Sequence, residues 1–246
     1  MRERLEAEAA KRNDLDELSS GRPDPLMVAR KLGDDRAVLL CALFGYGNAG
    51  NIVAFLESLD FSLLERGEGE IARRLQNSYY RFQNRDDVIQ AFVTLSRVER
   101  GELKSLFLEG YHREGQVIDG VFGILHALYG RNGYRSRGYR FLFGTLPEDG
   151  RPKSPYKRWM MFLRWMVRKD ALDLGRWPEV SRKDLVIPLD THTFHVGLKT
   201  GLLRRKTYDW KAALELTEHL RGFDPEDPVR YDFALYRMGQ EGVLGR

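Results

Sequence analysis

The chain has 246 residues, of which 42% are hydrophobic and 31% charged, with a formal net charge of +4, a size that fits one large domain or two small lobes. Its one cysteine, Cys41, excludes an internal disulfide and any multi-cysteine metal or iron–sulfur site. No apolar run approaches the ~18 residues of a membrane span, and the charged start from Met1 to Glu8 lacks a signal-peptide core, so a cytoplasmic protein is expected.

In chain order, the periodicity is helical almost throughout. Residues 1–19 read as a charged, weakly amphipathic helix, and Asp35 to Phe44 as an apolar one. Gly45-Tyr46-Gly47-Asn48-Ala49-Gly50 breaks it before a helix over Asn51 to Leu59. Further helices fit 60–66, 68–77, 86–98, 100–112 and 116–129. Gly133, Gly138 and Gly144 then punctuate a basic, aromatic loop region, closed by a turn at Pro147-Glu148-Asp149-Gly150. The next helix is predicted from Pro155 to about Arg168, with Ser154 as its N-cap and Pro155 in first position. Leu172 to Lys183 connects to an apolar run ending at Leu189, and Thr191 to Leu202 is helical with Phe194, Leu198 and Leu202 on one side. Trp210 to Leu220 is another helix, and Pro225 to Pro228 opens the last, through about Gly239. No alternating strand run stands out. The fold class expected is all-α.

Four constellations carry chemistry. Asp190 follows an apolar approach, Val186 to Leu189, at the start of a helix, so its carboxylate is expected to be drawn into the protein while capping that helix. His192 and His195 lie three apart and can share a face with each other. They are either phosphate contacts or, with Asp190, a metal set. Lys157 falls in the first turn of its helix, where the positive end of the helix, Arg158 and burial near Trp159 and Met161 all disfavour added positive charge. An amine so placed is a Schiff-base nucleophile or a phosphate contact. Lys157, Met161, Arg164 and Arg168 form a stripe that would track a nucleic-acid backbone or simply face solvent. Between Arg131 and Lys169 stand 11 basic residues against two acids, Glu148 and Asp149. Asp232 and Tyr236 face one way on the last helix, fit to hold a planar base or to sit in the core. Tyr46 and Asn48, among glycines, mark either a helix–helix turn or the filler of a vacated base stack.

Together these pieces resemble the helix-hairpin-helix base-excision DNA glycosylases. Leu189-Asp190-Thr191-His192-Thr193-Phe194-His195-Val196, with Gly201-Leu202-Leu203 after it, looks like that superfamily's segment V-D-T-H-V-x-R-V…L-G-L. Leu39 to Asn48 is similar to the early helix and turn that carry its intercalating residue. Tyr79-Tyr80-Arg81-Phe82-Gln83-Asn84 and Met161 to Arg168 look like a bacterial branch of the superfamily, a likeness spanning most of the chain.

The resemblance implies two helical lobes, 30–145 and 1–29 with 146–246, and a base-binding cleft between them. It makes Asp190 the catalytic aspartate and Lys157 the lysine of the bifunctional members. The interval of 33 residues between them is similar to that of the archaeal 8-oxoguanine group, as is the Asp232–Tyr236 step. Asp232, Tyr236 and Met161 would line the base pocket, and Tyr46 or Asn48 would be the wedge. Lys153, Arg158, His192 and His195 would grip phosphates. The expected activity is excision of a damaged base, 8-oxoguanine above all, with Schiff-base lyase action, by a nucleoid-associated monomer whose partner is damaged DNA. The hairpin L-P-G-V-G-x-K-T-A is absent, with Gly150 to Lys157 in its place. Its bound monovalent cation is therefore unassigned, and Lys153 and Lys169 stand as alternative nucleophiles. No iron–sulfur cofactor is expected. The rivals are a monofunctional glycosylase for another modified purine, a metal-dependent hydrolase on Asp190, His192 and His195, and a non-catalytic nucleic-acid-binding protein.

Overall fold

A computed structural model describes residues 1–242, and among them the fold is all-α, with 13 α-helices and no strand beyond isolated bridges. The chain divides into two compact units. Met1–Arg22 joins the chain from Asp149 onward, and Pro23–Glu148 forms the other.

The first helix, α1 (Arg2–Arg12), ends well short of residue 19. Asn13 and Asp14 end it because short polar side chains compete for the backbone, and Asp14 caps a separate 3-10 turn over Leu15–Glu17. The Pro23–Glu148 unit holds eight helices: α2 (Leu26–Ala29), α3 (Asp35–Leu43), α4 (Ala49–Glu57), α5 (Glu68–Arg74), α6 (Arg85–Ser96), α7 (Glu102–Glu114), α8 (Val117–Arg131) and α9 (Arg137–Phe143). Mostly apolar, α3 is buried from Arg36 to Leu43. Asp34 caps it and grips Arg36, whose Nη1 donates to the Val98 carbonyl at 2.7 Å. α7 and α8 make a hairpin about Gly115, which has φ 74. Their backbones meet so closely that a Cβ on Gly110 would lie 2.3 Å from the Asp119 carbonyl oxygen.

α9 corrects the expected loop. Seven residues are too few to display a helical period, and the flanking glycines mask it. Ser136 caps α9 by accepting from Tyr139 N at 2.9 Å. Buried Asp87 anchors that start through the Tyr134 hydroxyl, 3.0 Å away, and through Ser136 Oγ.

The other unit adds α10 (Lys157–Val167), α11 (Thr191–Thr200), α12 (Trp210–Arg221) and α13 (Asp232–Gln240). α13 begins later than its prolines suggest, because Pro228–Tyr231 forms a 3-10 turn first. α13 packs on α11 and α1. On α1, Arg12 bonds Glu8 at 3.0 Å and Glu241 at 2.7 Å, and Glu6 accepts from the Tyr231 hydroxyl.

α10 also corrects the sequence reading. The stripe Lys157, Met161, Arg164, Arg168 is not a surface, since the helix is buried from Trp159 to Val167 and Arg164 and Arg168 are only 4% and 9% exposed. Arg164 donates to Asp173 at 3.1–3.2 Å and to Asp232. Arg168 donates to Asp227 at 2.9 Å and pairs with Asp170 and Asp173. Within the basic segment 131–169, Arg164 and Arg168 are therefore not surface charges. The segment crosses the boundary between the units, and two of its cations are neutralised inside. Burial works against the Arg168 charge, but Asp173, Asp227 and Asp170 more than compensate and hold it firmly protonated. Replacing Arg168 with alanine takes its charge away from Asp170, Asp173 and Asp227, of which Asp173 keeps Arg164. Urea unfolding should show a loss of about 3–5 kcal/mol, with Arg168→Lys recovering charge but not the two-pronged geometry.

Candidate functional site

The apolar run Leu185 to Leu189 is fully buried and delivers Asp190 to the mouth of α11. Two side chains fix this approach. The Ile187 N–H donates to Thr217 Oγ1 at 3.0 Å, and the Tyr208 hydroxyl donates to the Leu189 carbonyl at 2.7 Å. Asp190 is half-buried and accepts from the Thr193 N–H at 2.7 Å, so one carboxylate oxygen is committed to the cap. The helix ends at Gly201 with φ 74.

Lys157 opens α10, but not as Ser154 and Pro155 suggest. The cap position belongs to Tyr156, left-handed at φ 47 and making no side-chain cap. That conformation costs a non-glycine residue about 1 kcal/mol or more. The buried Tyr156 ring stands edge-on to Trp210 at 6.5 Å, and Trp210 N donates to the Lys153 carbonyl at 3.2 Å. Packing on the start of α12 turns the chain at Tyr156 and moves the first helical residue to Lys157. Lys157 and Arg158 are half-buried, and Lys153 is exposed. Lys169 is exposed beyond the far end of α10, about 15 Å or more along the axis from Lys157.

Asp232 links these elements. It is 6% exposed and bonded to Arg164. Burial pushes its carboxyl up to about 6 and Arg164 pulls it down, while the Asp190 charge raises it and the Lys157 charge lowers it. The start of α10, the cap of α11 and the start of α13 thus bring Lys157 and Asp190 within electrostatic reach of one buried carboxyl. Tyr208 feels the same neighbourhood. Its hydroxyl is held protonated by burial first, then by the Asp190 charge, against Arg158.

Asp232 gives a pH signature. Because its folded carboxyl ionises above the ordinary value of 3.8, its contribution to stability is complete below about 4 and is lost as pH rises through about 6. Asp232→Asn keeps an acceptor for Arg164 and does not titrate. Denaturant melts should therefore find the variant gaining on the parent between pH 4 and pH 6, with a constant difference above.

The other expected site residues divide. Tyr236 stands edge-on to the His192 ring at 5.9 Å, and its hydroxyl accepts from Gln240 Nε2 at 2.7 Å. Gly239 lets α13 approach, since a Cβ there would lie 2.8 Å from His192 Cβ. Met161 is buried in the core, 7% exposed, one turn beyond Lys157. His192 and His195 are exposed, and His195 lies against Phe194. Among the described residues no cluster of three or more His, Cys, Asp or Glu side chains is arranged to hold a metal, so Asp190, His192 and His195 do not form the set the metal reading needs. Tyr46 and Asn48 lie in the Pro23–Glu148 unit. Asn48 is exposed and caps α4 by accepting from Asn51 N, while the Tyr46 hydroxyl donates to Gln83. Sequence reasoning missed Arg164 as the partner of Asp232, and Tyr208 as the clamp on Leu189. Nothing in the spacing signals Tyr208, which sits in a polar loop before the Asp209 cap.

A family model described as a protein of unknown function (DUF2400) matches residues 24–241. The chain belongs to the DUF2400 family. No curated protein and no solved structure matches it. In this DUF2400 chain the matched stretch contains every residue of the site just described and leaves out α1.

Proposed function

We propose that this protein is a DNA glycosylase with Schiff-base lyase activity, acting on a damaged base, 8-oxoguanine above all. The observation that supports the reading is that Lys157 and Asp190, an amine and a carboxylate on the starts of two helices, both act on the one buried carboxyl of Asp232. An enzyme that works on a base in DNA first rotates it out of the stack at a cost of a few kcal/mol. The Asp190 carboxylate then stabilises positive charge growing on the sugar. The Lys157 amine attacks C1′ as the C1′–N9 bond breaks, and the bonding pair leaves with the base, which takes up the proton that the nitrogen loses. Ring opening gives an imine between Nζ and C1′. Loss of a C2′ proton then expels the 3′ phosphate, and water releases the lysine. Arg158, with exposed Lys153, His192 and His195, would grip phosphates, and Asp232 with Tyr236 would lie beside the base.

The reading is tested on duplexes carrying single defined lesions, with borohydride present to reduce the imine. A stable protein–DNA adduct together with free modified base is expected for 8-oxoguanine, and neither for undamaged duplex. Base release without adduct would reassign the protein as a monofunctional enzyme. No release from any lesion would overturn the proposal.

A further inference from the structure

We infer that an exposed aromatic cluster on the Pro23–Glu148 unit is a stacking platform for the unpaired bases of single-stranded nucleic acid. Tyr79, Phe82 and Phe141 are 75%, 61% and 41% exposed. Phe82 lies parallel to Tyr46 at 6.1 Å, and Phe141 stands edge-on to both at 5.0 and 5.2 Å. Phe82 and Phe141, large rings left in water against one another and Tyr46, point to a partner.

The cluster is built, not accidental. Three loop or helix ends meet there, at 45–48, 79–83 and 137–141. Tyr80 and Gln83 exchange backbone hydrogen bonds of 3.0 and 2.9 Å, and the Tyr80 hydroxyl donates to the Tyr46 carbonyl at 2.8 Å. Buried Gln83 accepts from the Tyr46 hydroxyl and donates to the Gly138 carbonyl at 2.9 Å, tying all three segments together. Arg81 sits in the left-handed region at φ 52, with its guanidinium 5.8 and 5.6 Å from the Tyr46 and Phe82 ring centres. Gly47, at φ 110, makes room for it, because a Cβ there would lie 2.7 Å from Arg81 Nη1.

Charge selects the partner. Arg81, Arg137 and Arg140 are exposed and make no ion pair among the described residues, and Arg85 pairs only with adjacent Asp86. Exposed ring faces rimmed by arginine match a flexible polyanion that offers its own ring faces. In a matched duplex those faces are stacked inside, so single strands are preferred. The inference does not depend on the chemistry assigned to Lys157, because an undamaged probe reads it.

The test uses the full chain and fluorescence anisotropy with three labelled probes: oligothymidylate, the same backbone without bases, and a matched duplex. Oligothymidylate is expected to bind best. The double variant Phe82→Ala with Phe141→Ala should weaken it by about tenfold or more while hardly moving the abasic probe. Phe82→Trp should retain binding, which keeps the test decisive if the double variant misfolds. Arg140→Ala should weaken both single strands alike and flatten their salt dependence. Equal affinity for the abasic and thymidine strands, or unchanged binding by the double variant, would overturn the inference. So would binding to anionic phospholipid vesicles with none to any oligonucleotide.

Discussion

Lys157→Gln is expected to abolish the borohydride-trapped adduct with lesion-bearing DNA. Glutamine approximates the reach of the side chain, yet its amide nitrogen cannot form an imine. The substitution should leave the fold intact. Lys157 is half-buried at the first position of α10, where its positive charge opposes the helix dipole, so stability should change by no more than about 0.5 kcal/mol. Gel analysis after reduction and chromatography of the released base should both be run. Loss of adduct with base release also greatly reduced places the amine on the bond-breaking step. Adduct that survives in Lys157→Gln, and disappears instead in Lys153→Gln or Lys169→Gln, would remove Lys157 from the mechanism.

Asp190→Asn is the second large effect. Its two roles separate cleanly, because asparagine caps a helix about as well as aspartate but carries no charge. α11 should therefore keep its start while the stabilisation of developing positive charge is lost. A preorganised electrostatic contact of this kind is worth about 2.7–4 kcal/mol, or roughly 10²–10³ in single-turnover rate. Asp190→Ala should add about 1 kcal/mol of destabilisation from the missing cap. A spectroscopic check is available as well. Removing the Asp190 charge takes away one of the influences raising the Asp232 carboxyl, so its titration, followed by NMR, should move to lower pH. An Asp190→Asn enzyme with unchanged rate would exclude the carboxylate from the chemistry.

The helices that were legible in the sequence were long or bounded by strong stops. α3, α6, α8 and α12 follow from apolar periodicity, and Asp190 followed from one carboxylate placed after an uninterrupted apolar run. Periodicity failed where packing decides. At Tyr156 the sequence offers Ser-Pro, a good helix opening, and the contact with Trp210 overrides it. Arg164 and Arg168 look like a solvated stripe because their carboxylate partners lie off the helix, Asp173 just past its end and Asp227 and Asp232 far along the chain. Spacing along one helix cannot reveal a long-range ion pair. The same blindness hid Tyr208, whose work is done on a carbonyl 19 residues away in sequence. Of the exposed aromatic cluster, Phe82 was visible in the run Tyr79 to Asn84, and its contact with Phe141 needed coordinates.

The unit that holds Lys157, Asp190 and Asp232 is discontinuous, taking α1 from residues 1–22 and everything else from residue 149 onward. On the ribosome, Pro23–Glu148 can complete its own core while the remainder is still being made. α1 must wait for the segment around α13 before Arg12 and Glu6 meet Glu241 and Tyr231. Asp232, at the start of α13, thus joins Lys157 and Asp190 only once α13 has been made.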